Sequence, residues 1–377
     1  MRYAIAGTGT ISAAGTDAGA QALTLRSGIP SWQIDETTGL PVYAVPILPP
    51  HPEIESFGEA HYLDRSSLLG LHAADQAVRE AGWQGKDFAV IVGCSRGPTE
   101  TWEASYANFA ADGKPPVRTS PQTTLGSIAF AVAEYFGTGS LSSGVSVTCS
   151  SGFHALLHGI GLLGAGLADR VLVGGTEAPL TPFTLRQMEA LRVYAPVPGR
   201  TTQAACRPFD SPPSGMVVGE GAAFLALERL VPRHRYAITG LGAARERAGS
   251  STGISREGLA LQQAMRQAVG GQDAMPDFVI AHAPGTARGD AAEREAINQV
   301  FPDSTPPVTS FKWATGHTFG ASGPLALVAG LALLEGQEYL PLPHLAENIA
   351  SLPGPNRFLV NATGFGGNAV SVLVGRN

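Results

Sequence analysis

The chain carries a weak internal repeat. Tyr3-Ala-Ile-Ala-Gly-Thr-Gly9 returns as Tyr236-Ala-Ile-Thr-Gly-Leu-Gly242. Asp87-Phe-Ala-Val-Ile91 has a counterpart in Asp277-Phe-Val-Ile-Ala281, and Val171-Leu-Val-Gly-Gly175 in Val372-Leu-Val-Gly-Arg376. The same strand types in the same order restrict the chain to duplicated βα units. Between the strands run helical patterns. Asp64 to Ala81 puts Leu68, Leu71, Ala74 and Val78 on one face, with Ala73, Ala77 and Ala81 beside it. Ser151 to Ala168 and Pro324 to Leu334 are apolar nearly all round, as helices buried between layers are. Apolar strands alternating with helices predict an α/β fold of mainly parallel sheets covered on both faces. Two such halves packed together make five layers, α/β/α/β/α. The halves are residues 1–230 and 231–377, divided where Pro232 and a charge cluster interrupt the pattern. Irregular Pro- and Gly-rich stretches at about 40–60 and 190–218 read as insertions that cap a site or form an interface.

Composition removes several function classes. Hydrophobic residues make up 44% of 377 and charged residues 15%, enough for a large core. A net charge of −6, with lysine only at 86, 114 and 312, leaves no footprint for nucleic acid. Arg233 to Arg235 reads as a solvated loop, or as a local dock for an acidic protein. Cys94, Cys149 and Cys206 are too few and scattered for a disulfide framework or a metal site. Met1-Arg2 runs straight into a strand-like segment, with no secretory signal pattern. The longest apolar stretch, after Gly152, is broken by His154 and His158 and is too short and polar to span a bilayer. The expectation is a soluble cytoplasmic protein.

Four chemistries compete. Gly7-Thr-Gly9 suggests a dinucleotide fingerprint, but its sixth position is Ser12 and no suitable acidic residue follows, so a strand-end turn is the better reading. Gly93-Cys-Ser-Arg-Gly97 matches the nucleophile elbow of serine hydrolases, with Ser95 as nucleophile. Cys149 and His282 are spaced as in papain-like proteases, but the flanks of Cys149 do not fit. The fourth places Cys149 where a strand, Val145 to Thr148, meets a helix from Ser150 onward. There the helix N-terminus favours thiolate and backbone amides can cradle an oxyanion. Alone, such a cysteine could be an inert core residue. His282 at a strand end and His317 in a Gly-rich turn, both in the second half, make it one member of a constellation.

Further motifs follow in order: Leu63-Asp-Arg65, Val147-Thr-Cys-Ser-Ser-Gly152, Arg207-Pro-Phe-Asp210, Gly219-Glu-Gly221, His282 through Asp290, Lys312 through His317, Gly320-Ala-Ser-Gly323 and Gly364-Phe-Gly-Gly367. Over nearly its whole length the chain resembles the elongating β-ketoacyl-acyl-carrier-protein synthases of the thiolase-like superfamily. The resemblance implies that Cys149 takes an acyl chain from the phosphopantetheine of an acyl carrier protein. His282 and His317 then stabilise the enolate formed when a malonyl thioester loses carbon dioxide. It implies that the amides of Cys149 and Phe365 form an oxyanion hole, with Phe365 also a gate. Lys312 and Glu293 order the network around His282, or simply pair with one another, and Thr286 contacts pantetheine. No cofactor of the protein's own and no metal are implied. The partners implied are the carrier protein and a second subunit, identical or a related ketosynthase. Two departures bear on carrier-arm binding and gating. Pro284 replaces the family's first threonine after His282, and the Gly364-Phe-Gly-Gly-Asn368 loop is one residue short. A non-elongating acyltransferase, or the partner subunit of a heterodimeric pair, is the alternative within the class. A Ser95 hydrolase is the alternative outside it.

Overall fold

The computed structural model describes residues 3–45, 47–201, 203–247, 253–270, 275–345 and 354–377. Besides a small two-stranded sheet, Gln33–Ile34 with Pro41–Val42, the main sheet takes five strands from the first half: β1 (Tyr3–Ser12), β2 (Ala89–Gly93), β3 (Ser142–Val145), β4 (Arg170–Glu177) and β5 (Gly221–Arg229). Five come from the second: β6 (Tyr236–Arg245), β7 (Phe278–Ile280), β8 (Val308–Thr309), β9 (Arg357–Gly364) and β10 (Asn368–Arg376). They line up as β8-β7-β9-β10-β6-β1-β5-β4-β2-β3. The two sets of five join only through Tyr3, Ala4 and Ile5 of β1, opposite Ile238, Ala237 and Tyr236 of β6.

Each set is mixed rather than mainly parallel. β1–β5 and β5–β4 run antiparallel, and β4–β2 and β2–β3 parallel. β6–β10 and β10–β9 run antiparallel, and β9–β7 and β7–β8 parallel. The duplication is therefore real in topology, but the third sequence pair was mismatched. Val171 to Gly175 lies in β4, whose positional counterpart is β9, whereas Val372 to Arg376 lies in β10, the counterpart of β5. Strands buried on both faces read as interchangeable apolar runs, so composition cannot tell them apart.

The helices complete five layers. α1 (Arg65–Glu80) and α2 (Ser127–Phe136) cover the outer face of the first set, and α4 (Leu259–Val269) and α5 (Ala287–Val300) that of the second. Between the sets lie α3 (Ser151–Ala165) and α6 (Ser322–Gly336), packed against each other. Asp64 caps α1 by accepting from the Ser66 amide at 2.8 Å. Phe319–Gly336 is the run long and apolar enough to cross a membrane, and it lies largely buried in this central layer.

The repeated Gly-x-Gly is neither a strand-end turn nor a nucleotide loop, because both copies lie inside strands. A Cβ on Gly7 or Gly9 would overlap the Ala77 or Ala73 carbonyl oxygen of α1. A Cβ on Gly240 or Gly242 would overlap those of Ala268 or Ala264 of α4. The glycines let one helix lie directly on one strand, once in each half. Of the two irregular stretches, the first contains a helix, Pro52–His61. Apart from position 202, the second has no helix or strand of its own beyond the Tyr194–Met216 and Val218–His317 bridges, and part of it walls the cavity described next.

Candidate active site

β3 ends at Val145, where its pairing with Gly93 of β2 ends, three residues before the expected Thr148, which adopts the left-handed region at φ 50°. For a β-branched residue this is strained, at a cost of about 1–3 kcal/mol. A tight set of bonds holds it. Ser150 Oγ donates to the Val147 carbonyl at 2.9 Å, and Ser151 Oγ to that of Thr148 at 2.5 Å. Thr148 Oγ1 donates to the Phe365 carbonyl at 3.3 Å. The β9–β10 loop approaches this turn so closely that a Cβ on Gly364 would stand 3.0 Å from the Val147 oxygen and 3.2 Å from the Cys149 nitrogen. The loop thus brings the Phe365 backbone beside that of Cys149, at the start of α3.

Cys149, His282 and His317 line one cavity of about 660 Å³, with Glu293, Thr286, Pro284 and Phe365 also in its wall. The imidazoles of His282 and His317 meet edge to face, with centroids 5.1 Å apart. Both are buried, and burial, reinforced by the nearby Lys312 ammonium, pushes their pKa values well below the ordinary one. They are neutral at neutral pH. His317 is fixed by its amide to the Val217 carbonyl at 2.7 Å and by ring Nδ1 to Ser322 Oγ at 3.1 Å.

His282 follows β7, which ends at Ile280, one residue earlier than expected. Its backbone is gripped from two sides. Glu293 accepts from the His282 amide at 2.9 Å, the Ala283 amide at 2.7 Å and Asn361 Nδ2 at 3.0 Å. Lys312 Nζ donates to the His282 carbonyl. Among the described residues no ion pair joins Lys312 to Glu293; each meets the His282 backbone instead. Burial brings Lys312 down to about 8 and raises Glu293. Asp290 accepts from the Phe209 and Gly285 amides at 2.6 and 3.0 Å, and burial carries it up to about 7. Thr286 is the N-cap of α5 and Phe365 tips the β9–β10 loop, 38% exposed.

One expectation about Cys149 is overturned. Burial, then the Glu177 carboxylate, push its thiol up to about 12, against the pull of Lys312 and Arg96. Desolvation outweighs the helix N-terminus, so the resting group is the thiol and not the thiolate. Glu177 is itself raised to about 7 by burial, so its own opposition is partial near neutrality. This residue was not singled out in the sequence. Its Oε1 accepts from the Ser95 and Gly320 amides, tying the loop after β2 to the turn that carries His317. The signal was there, a lone acid closing the apolar strand Arg170–Glu177. Arg65 and Glu220, from two separate sequence motifs, meet in a two-pronged pair at 2.6 and 2.7 Å. Ser95 does not line that cavity.

Comparison with known proteins decides the family. The β-ketoacyl synthase N-terminal domain matches residues 51–232 and the C-terminal domain residues 236–346. The chain belongs to the β-ketoacyl synthase family. It is a condensing, acyl-transferring enzyme with a thiolase-like fold, and the serine hydrolase reading of Ser95 falls. This synthase is 30% identical to nodulation protein E of Rhizobium leguminosarum bv. trifolii over 89% of its own length and 87% of the relative's. Its fold matches a ketosynthase of Xenorhabdus doucetiae, solved in complex with its chain length factor, at a TM-score of 0.84 and 24% identity, covering 100% and 98% of the two chains. It also matches a type II polyketide synthase ketosynthase, solved with its acyl-carrier protein and bound to a hexaketide, at 0.85 and 21%, covering 99% and 98%.

Proposed function

We propose that this synthase extends an acyl chain by decarboxylative condensation in a fatty-acid-like or polyketide-type pathway. The observation that carries this is the shared cavity of Cys149 with two neutral imidazoles. In the first step Cys149 Sγ attacks the thioester of an acyl group carried on phosphopantetheine. The C–S bond to the carrier breaks, and the cysteine proton leaves with the carrier thiol. Because the resting group is a thiol, proton loss accompanies attack. In the second step a malonyl thioester binds and its C–COO⁻ bond breaks to release carbon dioxide. His282 and His317 donate to the enolate oxygen without adding a fixed charge. The enolate carbon attacks the acyl-Cys149 carbonyl, whose oxyanion rests on the amides of Cys149 and Phe365. The Cys149–acyl bond then breaks, and the sulfur regains a proton from solvent.

In this scheme residues 1–230 carry the nucleophile and 231–377 both histidines. Lys312 and Glu293 are positioning residues acting through the His282 backbone, Phe365 gates the cavity and Thr286 meets the arm. The enzyme works in the cytoplasm with an acyl carrier protein and as half of a dimer, with itself or with a related ketosynthase. Support for a dimer comes from β3, an edge strand with exposed Phe130 on the helix α2 packed against it, and from the exposed aromatics Trp102, Tyr106 and Phe109 on the helix Thr99–Asp112. The test is carbon dioxide release from a malonyl carrier protein. His282→Ala and His317→Ala should each lose it by about 100-fold or more. Unchanged release in either variant would remove that histidine from its role.

A further inference from the structure

A second, much smaller chamber adjoins the residues that hold the two histidines. It measures about 10 Å³, the room of one water molecule. Lys312 and Ser322 are both in its wall, and Lys312 does not line the 660 Å³ cavity. These are the side chains that fix the histidines: Lys312 Nζ donates to the His282 carbonyl, and Ser322 Oγ meets His317 Nδ1 at 3.1 Å. Two more polar residues share the wall. Gln21 comes from the helix Ala18–Ser27 of the first half, and Ser310 directly follows β8 of the second.

Gln21 is 1% exposed and Ser310 0%. Yet Gln21 Oε1, Gln21 Nε2 and Ser310 Oγ have no hydrogen-bond partner among the described residues. Three buried polar atoms in the wall of one small chamber are costly unless a ligand meets them. Lys312 adds to that demand. Its buried ammonium carries three donors and makes one hydrogen bond among the described residues. The same ammonium repels a metal cation, and the Gln21 amide oxygen repels an anion. A neutral molecule no larger than water, able both to donate and to accept, suits all four residues.

We infer that the chamber binds one water molecule, which ties Gln21 and Ser310 to Lys312 and Ser322, and that Gln21 is a positioning residue for both histidines. The water accepts from the Lys312 ammonium and donates to the Gln21 amide oxygen or the Ser310 hydroxyl. The first half of the chain thereby steadies groups that the second half presents. The inference rests on the reading of His282 and His317 as the groups that stabilise the enolate.

Crystals of the full chain that diffract far enough to show ordered solvent test the site directly. Wild type should show one solvent peak within hydrogen-bond reach of Gln21 and Ser310, and Gln21→Leu should lose it. No peak in wild type, or an anomalous peak there once bromide replaces chloride, would overturn the water. Kinetics test the role. Gln21→Leu should lower kcat for carbon dioxide release from a malonyl carrier protein by about 10-fold, the scale of one hydrogen bond to a charged group, while KM and the rate of Cys149 acylation hold. Gln21→Glu keeps the shape and an acceptor beside the ammonium, and should retain more activity than Gln21→Leu. Were Gln21 there for packing alone, leucine would be the better tolerated of the two at a buried position. Should Gln21→Leu not fold, Ser310→Ala should show the same loss of kcat with acylation intact. Decarboxylation unmoved in Gln21→Leu, or acylation falling in equal measure, would overturn the positioning role. Wild type that acylates Cys149 but releases no carbon dioxide would overturn the histidines' reading and the positioning role with it, while the solvent peak would still be found.

Discussion

Gly9→Ala and Gly242→Ala should damage the protein in parallel, because each removes the same contact from one copy of the duplicated unit. On Gly9 the new methyl would sit 2.7 Å from Gln76 Cβ, and on Gly242 2.7 Å from Gln267 Cβ. Ordinary contact begins at 3.4 Å, so each is about 0.7 Å too close, besides overlapping a helix carbonyl oxygen. α1 or α4 must lift from its strand. Overpacking of this kind costs about 1–3 kcal/mol, and the gain of Ala over Gly within a strand returns roughly 0.5–1. The net is about 1–2 kcal/mol. With an unfolding entropy of ~2.1 cal/mol/K per residue over a chain of 377 residues, Tm should fall by roughly 1–3 °C in each variant. Calorimetry can resolve this against Gly161→Ala on α3. There a Cβ meets nothing within 4 Å, and Tm should hold or rise. A Tm at or above wild type for either Gly9→Ala or Gly242→Ala would refute the account of why the glycine pair recurs.

Three further outcomes follow from the site and its surroundings. Lys312→Met removes the ammonium that helps hold both histidines neutral, so His282 and His317 should protonate at higher pH. The acid limb of malonyl decarboxylation should therefore move upward in pH, and a profile that keeps its acid limb would contradict this. Glu177 is raised from 4.5 to about 7, so its stabilising contribution is full below pH 4.5 and is lost as pH rises through 7. Glu177→Gln should therefore gain stability over wild type between pH 5 and pH 8, by up to about 3 kcal/mol in thermal scans, and a constant difference would speak against it. Arg65→Met leaves Glu220 buried beside the Val45 amide with its cation gone, and should cost about 3 kcal/mol or more in urea titrations.

Much of this was legible in the sequence because it is periodic or punctuated. The helix from Asp64 and the apolar α3 and α6 mark local structure that side-chain chemistry dictates, whereas the recurrent Gly-x-Gly reads as a turn because the helix that presses on it comes from elsewhere in the chain. Cys149, His282 and His317 could be brought together because Cys149 precedes a helix, His282 follows a strand and His317 sits in a Gly-rich turn leading to a buried helix. What escaped depended on distance. The thiol's high pKa comes from desolvation, which no local pattern reports. Glu177 contacts Ser95 and Gly320, 82 and 143 residues away. The third repeat pair was misaligned because β4 and β10 are both apolar runs, told apart only by their neighbours. The strand before Cys149 read too long because its pairing partner β2 ends at Gly93, which no pattern in residues 145–148 reports.

The central claim is that sulfur 149 carries the growing chain. Incubation with an acyl carrier protein thioester, followed by peptide mass mapping, should place one acyl group on the peptide containing Cys149, and Cys149→Ala should abolish it. An adduct that survives in Cys149→Ala, or that maps to Ser95, would contradict the account.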